Sequence, residues 1–145
     1  MSDETFLLRA IELAETHSSD GLHGPFGAVV VRSGEVVGEG WNGVVAHHDP
    51  TGHAEVAAIR AAGEALATHV LDDCVLYASC EPCPMCLGAV YWARIPRVVY
   101  AASTADARDA GFDDEWIRRE LTRHPALRRL ETAQRLHGRC GEVFR

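Results

Sequence analysis

The stretch DDCVLYASCEPCPMCLGAVYWARIPRVVYAAS, residues 72–103, predicts a strand, a helix and a second strand in close succession. Val, Leu and Tyr favour a strand over 72–80, and Pro82 suits the first turn of the helix that follows. Apolar β-formers return over 95–103 and predict the next strand. Because a helix joins the two strands, we expect them to run parallel.

The segments before this stretch predict a helix, a hairpin and another helix. Apolar residues recur at helical spacing over about 3–17, behind an acidic first turn. Residues 26–42 contain two β-rich runs around Ser33-Gly34, which is typical of a hairpin. The Ala-rich segment HAEVAAIRAAGEAL predicts a helix that begins close to His53. This order of elements predicts an α/β layered fold with a mixed sheet.

The length and composition favour one compact domain. The chain has 145 residues, of which 47% are hydrophobic and 24% charged, and this size allows a substantial core. We therefore expect residues 1–145 to form a single domain. The N-terminal segment carries acidic residues among its apolar ones, and no apolar run is long enough to span a bilayer. We expect a cytoplasmic protein with no membrane partner.

The charge of the chain is unevenly distributed. The net charge is −7 and all 14 basic residues are arginine, which argues against a general nucleic-acid surface. Residues 1–117 hold 6 Arg and 18 acids (−12), whereas 118–145 hold 8 Arg and 3 acids (+5). The basic tail is compatible with docking on the acidic body of the same or a neighbouring subunit, with a lid, or with contact to RNA.

The cysteines are clustered and odd in number, which favours metal or redox chemistry over disulfides. Cys83 and Cys86 are three residues apart in the first turn of the predicted helix, so their sulfur atoms face one side. Unpaired backbone N–H groups there favour thiolates. A C-x-x-C pair is also typical of a thioredoxin-type redox couple, but that interpretation leaves His53 and Glu55 without a role.

His53 adds one imidazole nitrogen to the two sulfur atoms. Three protein ligands leave one position of a tetrahedral zinc open for water, as a catalytic zinc requires. A structural zinc would need a fourth protein ligand. The candidates for that ligand are Cys80, Cys74 and His48.

Glu55 follows His53 by two residues in the first turn of the same predicted helix. Its carboxylate can reach a water molecule in the open zinc position without binding the metal, and can move that water's proton to a substrate. The alternative is an acid that only interacts with the helix dipole, which is worth about 0.3–1 kcal/mol.

These residues resemble the signature of a known superfamily. His-Ala-Glu at 53–55 and Pro-Cys-Pro-Met-Cys at 82–86 are similar to the H-x-E…P-C-x-x-C pattern of the zinc-dependent cytidine deaminases. The segments GPFGAVVV, DPTGHAE and AGFDDEWI resemble the bacterial guanine deaminases of this superfamily. The resemblance implies a three-layer α/β/α fold with a central mixed five-stranded sheet, a homodimer, and hydrolysis of the purine base guanine to xanthine and ammonia.

The resemblance also implies roles for individual residues. One zinc per chain would bind His53, Cys83 and Cys86, with Glu55 as proton shuttle and Asp114 as a second proton carrier beside the leaving amine. The substrate would contact Phe26, Asn42, Ala54 and Trp92.

The residues alone also allow interpretations in which these side chains have only a structural role. Phe26 and Trp92 are compatible with ordinary core aromatics, Asn42 with the end of a hairpin, and 113–114 with a helix cap.

Other functions on the same scaffold are a tRNA adenosine deaminase, a nucleoside or triazine deaminase, and a zinc-stabilised binding module without turnover. In guanine deaminases of this kind a longer C-terminal segment covers the active site of the partner subunit with an aromatic residue. Here the sequence given ends at CGEVFR, and Phe144 is the only late aromatic residue.

Overall fold

The computed structural model describes residues 2–145, which form two compact units. The first unit ends at Asp114, and the second comprises Glu115–Arg145. Within the described residues, no helix is both long enough and apolar enough to cross a membrane. The expectation of a single domain over 1–145 stays a prediction.

One mixed sheet forms the centre of the first unit. Its spatial order is β2-β1-β3-β4. β1 pairs antiparallel with both β2 and β3, whereas β3 pairs parallel with β4, as the strand–helix–strand stretch predicted. The strands are β1 (Gly27–Arg32), β2 (Glu35–Trp41), β3 (Cys74–Cys80) and β4 (Arg97–Ala102).

The expectation of five strands is wrong for the described residues, whose sheet has four. A fifth strand would have to follow β4 in the chain. The sequence after β4 forms short helices, and residues 128–136 (RRLETAQRL) lack the alternating β-branched and aromatic pattern of a strand. Four of the nine residues of that segment are Arg or Glu.

Helices cover both faces of the sheet. The predicted helix over 3–17 is confirmed as α1, and the helix predicted near His53 is confirmed as α3. The helices of the first unit are α1 (Asp3–His17), α2 (Val44–His47), α3 (Ala54–Leu66), α4 (Pro84–Trp92) and α5 (Thr104–Asp109).

The second unit contains only short helices among its described residues. These are α6 (Glu115–Thr122), a 3₁₀ turn (Pro125–Leu127), α7 (His137–Gly141) and a second 3₁₀ turn (Glu142–Phe144).

Alternate side chains of the strands enter two separate apolar clusters, as the period of two in a β-strand requires. Val29 and Tyr77 pack with Phe6 and Leu13 of α1. On the opposite face, the cluster contains Ala28, Val30, Leu76, Ala54, Ala58, Ala62 and Val90. The first unit therefore has three layers, with α1 on one side and α3 and α4 on the other.

Two glycines bring α3 unusually close to the sheet. A Cβ atom on Gly40 would lie 2.2 Å from the carbonyl oxygen of Ala54, and one on Gly38 would lie 2.4 Å from that of Ala58. Only residues without a side chain allow this approach. Because α3 begins directly after His53, this contact fixes the position of the histidine.

Candidate active site

Three side chains capable of binding a metal converge between the N-termini of two helices. His53 directly precedes α3, Cys83 directly precedes α4, and Cys86 lies in the first turn of α4. Nδ1 of His53 is 3.4 Å from Sγ of both cysteines, and the three ligand atoms all lie within 4.8 Å of one another. The structure thus brings together the three residues that the sequence predicted as ligands.

The geometry fits a tetrahedral zinc ion. Zn–N and Zn–S bonds of about 2.0–2.1 and 2.3 Å place the nitrogen and sulfur atoms about 3.6 Å apart, close to the 3.4 Å between these atoms. The hydrogen bond from Cys86 lowers the pKa of Cys83 to about 4, and the same hydrogen bond raises the pKa of Cys86. These opposite directions favour the thiolate form of Cys83, and zinc binding requires both sulfur atoms to be deprotonated.

The three candidates for a fourth protein ligand lie outside this group. Among the described residues, the only cluster with metal-ligand geometry consists of His53, Cys83 and Cys86. Cys80 instead directs its sulfur towards the carbonyl oxygen of Ser103, at 3.6 Å. A set of three ligands is typical of a catalytic zinc rather than a structural one.

Glu55 lies beside the three ligands and is almost completely buried. It is 7% exposed, and no other charged residue in the described part of the chain is buried. Burial raises the pKa of its carboxyl group, and hydrogen bonds with its own backbone and with Cys86 oppose this rise. A buried carboxylate next to a metal site is a typical proton carrier.

Asp114 is the last residue of the first unit and acts on the site through its charge. The hydrogen bond with Cys83 raises the pKa of His53, and the negative charges of Glu55 and Asp114 raise it further. Asp114 therefore lies close enough for its charge to be felt at the candidate metal ligands. This position agrees with a role beside the site, but its proton transfer stays a prediction.

Asn42 follows the last residue of β2, and backbone groups fix the orientation of its amide. Its Oδ1 accepts hydrogen bonds from the backbone N–H of Val44 at 3.1 Å and of Gly24 at 3.4 Å. Because the oxygen accepts twice, the NH₂ group, a hydrogen-bond donor, is the part of the amide that those two bonds leave available. Contact of Asn42 with a substrate stays a prediction.

The remaining predicted substrate contacts occupy different environments. Phe26 packs edge-to-face on Phe112 with ring centroids 5.1 Å apart, and both rings line a mainly apolar cavity of about 410 Å³ that the metal ligands do not border. Ala54 is fully buried, whereas Trp92 is 83% exposed at the end of α4. Their contacts with substrate stay predictions.

Sequence reasoning did not identify Gly24 and Val44 as determinants of the Asn42 orientation. Both act through backbone N–H groups, which every residue except proline carries, so no residue type marks them. Gly24 is also 18 residues away in the chain. The Gly-Pro-Phe sequence after His23 indicates a turn there, but it does not indicate what the turn contacts.

Comparison with known proteins gives consistent matches. The model of the cytidine and deoxycytidylate deaminase zinc-binding region matches residues 1–102. Guanine deaminase of Bacillus subtilis (strain 168) is 56% identical over 121 residues, which are 83% of this chain and 78% of that protein. The tRNA-specific adenosine deaminase of Haemophilus influenzae is 35% identical, over 92% of this chain and 80% of its own length.

A solved structure also matches almost the whole chain. The X-ray structure of guanine deaminase from Bacillus subtilis superposes with a TM-score of 0.94 and 49% sequence identity, covering 99% of this chain and 92% of that one.

Proposed function

The chain belongs to the cytidine and deoxycytidylate deaminase zinc-binding family, and we propose that within this family it is a guanine deaminase, which hydrolyses guanine to xanthine and ammonia. The observation that carries the proposal is the three-ligand group with buried Glu55 beside it. The 56% identity with the guanine deaminase of Bacillus subtilis supports guanine as the substrate.

The chemistry needs one metal ion and two proton carriers. His53, Cys83 and Cys86 would hold one zinc ion, which would lower the pKa of the attacking water molecule towards neutrality. Glu55 takes one proton from the attacking water and passes it to the ring nitrogen beside C2 of guanine, while the water oxygen bonds to C2. Its burial suits this role, because a carboxylate with a raised pKa takes a proton from water more readily than an exposed carboxylate and can then return it to the substrate.

The departing amine needs a second proton. An amine is a poor leaving group until it is protonated, and Glu55 has already delivered the first proton of the water molecule to the ring nitrogen. Asp114 transfers the remaining hydroxyl proton to the amine, the C2–N bond breaks, and ammonia leaves as the C2 carbonyl of xanthine forms. The proximity of Asp114 to His53 supports this assignment.

Asn42 provides selectivity for guanine over adenine. Guanine presents two acceptors, O6 and N7, on one edge, whereas adenine presents an amino donor at position 6. The Asn42 oxygen is occupied by two backbone N–H groups, so its NH₂ group faces a ligand as a donor. A donor pairs with O6 of guanine and opposes the amino group of adenine.

The active form is a homodimer in the cytoplasm. The outer face of α4 is apolar and exposed, with Leu87 37%, Tyr91 71% and Trp92 83% exposed. A contiguous apolar helix face supports burial against a second copy. Free thiols at all five cysteines support a reducing compartment.

A panel of amines tests the proposed function. We expect ammonia release to be fastest with guanine, compared with guanosine, adenine, cytosine, cytidine and ammeline, and a tRNA anticodon stem to be inert. Faster turnover of the tRNA would favour an adenosine deaminase of the kind found in Haemophilus influenzae. If the zinc-loaded protein turned over none of these substrates, the remaining interpretation would be a zinc-stabilised binding module without catalytic activity.

A further inference from the structure

Four aromatic rings form a row beside Asn42. The ring of His17 stacks on Trp41, with centroids 3.7 Å apart and planes 2° from parallel. His23 makes edge-to-face contacts with His17 and with His47, each with centroids 6.5 Å apart. The row therefore runs in the order Trp41, His17, His23, His47, and His23 lies in its interior.

Both ends of the row lie next to the chain beside Asn42, because one end is Trp41 and the other, His47, contacts Gly43. Trp41 precedes Asn42 directly, and Gly43 follows it. A Cβ atom on Gly43 would lie 2.6 Å from Cδ2 of His47, so the His47 ring lies against the backbone of Gly43. Through its two neighbouring rings, His23 is thus connected to the chain on both sides of Asn42.

His23 is held in place by Asp20. Nδ1 of His23 is 2.8 Å from Oδ2 of Asp20, and the other oxygen of Asp20 accepts the N–H of Leu22 at 2.9 Å. The hydrogen bond from Leu22 and that from His23 lower the pKa of Asp20. Asp20 is therefore a carboxylate that can only accept, so Nδ1 of His23 carries a proton and donates it.

The residue after His23 reaches the Asn42 side chain directly. The N–H of Gly24 donates to Oδ1 of Asn42 at 3.4 Å, and a Cβ atom on Gly24 would lie 3.3 Å from Cγ of Asn42. The backbone at 23–24 therefore supplies one of the two hydrogen bonds that hold the Asn42 oxygen, and Val44 supplies the other.

We infer that His23, held by Asp20, is a positioning residue for Asn42 and so for recognition of the purine. The inference rests on the proposed function, in which Asn42 donates to O6 of guanine. Without the His23 hydrogen bond, Gly24 moves away, the Asn42 oxygen keeps only its hydrogen bond from Val44, and the amide rotates more readily. A rotated amide would present its oxygen, which accepts a donor at purine position 6 and no longer favours guanine.

Steady-state kinetics with a competitor tests this role. In 2,6-diaminopurine an amino donor replaces O6, so its inhibition constant relative to the KM for guanine reports the orientation of Asn42. For His23→Ala we expect KM for guanine to rise about fivefold, as for the loss of one hydrogen bond, with kcat within about twofold of wild type. The preference for guanine over 2,6-diaminopurine should narrow about threefold or more.

Three further variants make the test specific. His23→Asn keeps an N–H near the position of Nδ1 and should restore most of the wild-type KM and preference. Asp20→Ala removes the acceptor and should behave like His23→Ala. His69→Ala changes an exposed histidine near the far end of α3 and should behave like the wild type.

Several results would overturn the inference. These are a guanine KM within about twofold of wild type in His23→Ala, a raised KM with unchanged preference, or no recovery in His23→Asn. Wild-type protein that does not deaminate guanine would overturn the proposed function and this inference with it. Wild-type turnover with an unaffected His23→Ala would overturn this inference alone.

Discussion

Substitution of Glu55 allows metal binding and catalysis to be tested separately, because Glu55 is buried beside the three metal ligands but is not one of them. Gln has nearly the same shape as Glu but cannot carry the proton. We expect Glu55→Gln to retain about one zinc per chain and to lose roughly 100- to 10,000-fold in kcat. Elemental analysis and ammonia release measure the two quantities on the same sample.

Cys83→Ser is the matched comparison for Glu55→Gln. It alters a ligand at the same site, so zinc content and activity should fall together. A Glu55→Gln protein that loses zinc in proportion to its activity would contradict the proposed division and would identify Glu55 as a ligand.

Asp114 and its neighbour Asp113 allow a second comparison at the scale of single residues. If Asp114 protonates the leaving amine, Asp114→Asn should lower kcat about 100-fold or more, with a much smaller change in KM. Asp113→Asn removes the same charge one residue away and should leave kcat within about twofold of wild type. Steady-state kinetics of both variants on guanine show which of the two aspartates affects kcat. An unimpaired kcat in Asp114→Asn would show that Asp114 is not the second proton carrier.

Between elements, the contact of β2 with α3 determines where the first metal ligand lies. A Cβ atom on Gly40 would meet the Ala54 oxygen at 2.2 Å and the Ala58 nitrogen at 2.5 Å. These are backbone atoms, so Gly40→Ala must push α3 and the preceding His53 away from the sheet. We expect a loss of about 1–3 kcal/mol in the free energy of unfolding, together with weaker zinc binding.

Chemical denaturation and zinc titration measure both effects of Gly40→Ala. Val36→Ala serves as control, because Val36 is on the same strand and 40% exposed. It should change stability by less than about 1 kcal/mol and leave zinc affinity unaltered. Equal zinc affinity in Gly40→Ala and wild type would show that the β2–α3 contact does not position His53.

Asp3 connects the first turn of α1 to β3 and β4. Its carboxylate accepts from the Tyr77 hydroxyl at 2.7 Å and from two nitrogens of Arg97. The hydrogen bonds from Arg97 and Tyr77 lower the pKa of Asp3 to about 2. Because the folded-state pKa lies below the unfolded value, this stabilisation is present above about pH 4 and is lost as the pH falls towards 2.

Asp3→Asn should therefore be less stable than wild type at pH 7, and the difference should shrink as the pH falls from about 4 to 2. Acid also protonates the metal ligands, but it does so in both proteins, so the difference between their free energies of unfolding isolates Asp3. A difference that stays constant with pH would show that the charge of Asp3 does not contribute.

At the scale of the whole molecule, the features that the sequence predicted best are those whose residues lie close together in the chain. The parallel pair β3 and β4 and its connecting helix lie within residues 72–103, and Cys83 and Cys86 are one helical turn apart. Their patterns need no knowledge of distant residues. His53 was predicted because its imidazole completes a three-ligand set with the two cysteines, and because it matches the family signature, although it meets Cys83 across 30 residues.

Non-local features were predicted less well. The residue patterns themselves predicted four strands, and the fifth strand, which the sheet of the described residues does not contain, came only from the family resemblance. The orientation of Asn42 depends on the backbone of Gly24, and the row of rings joins His17, His23 and His47 from separate segments. A single sequence does not encode such contacts in residue spacing.

The exposed apolar face of α4 is the proposed contact between the two chains of a homodimer. Leu87 and Tyr91 lie at i and i+4, so they share one side of the helix, and Trp92 is the exposed last residue of α4. Burying this face in a homodimer removes apolar surface from water, and a carboxylate in its centre would be desolvated at high cost. We therefore expect Tyr91→Glu to convert the dimer to a monomer without unfolding it.

Sedimentation velocity at micromolar concentration tests this expectation. Leu8→Glu is the control, because Leu8 is 60% exposed on α1, which packs on the opposite face of the sheet, and it should sediment like the wild type. A Tyr91→Glu protein that still sediments as a dimer would place the interface elsewhere. Wild-type protein that sediments as a monomer would contradict the dimer itself, because the α4 face would then remain open to solvent.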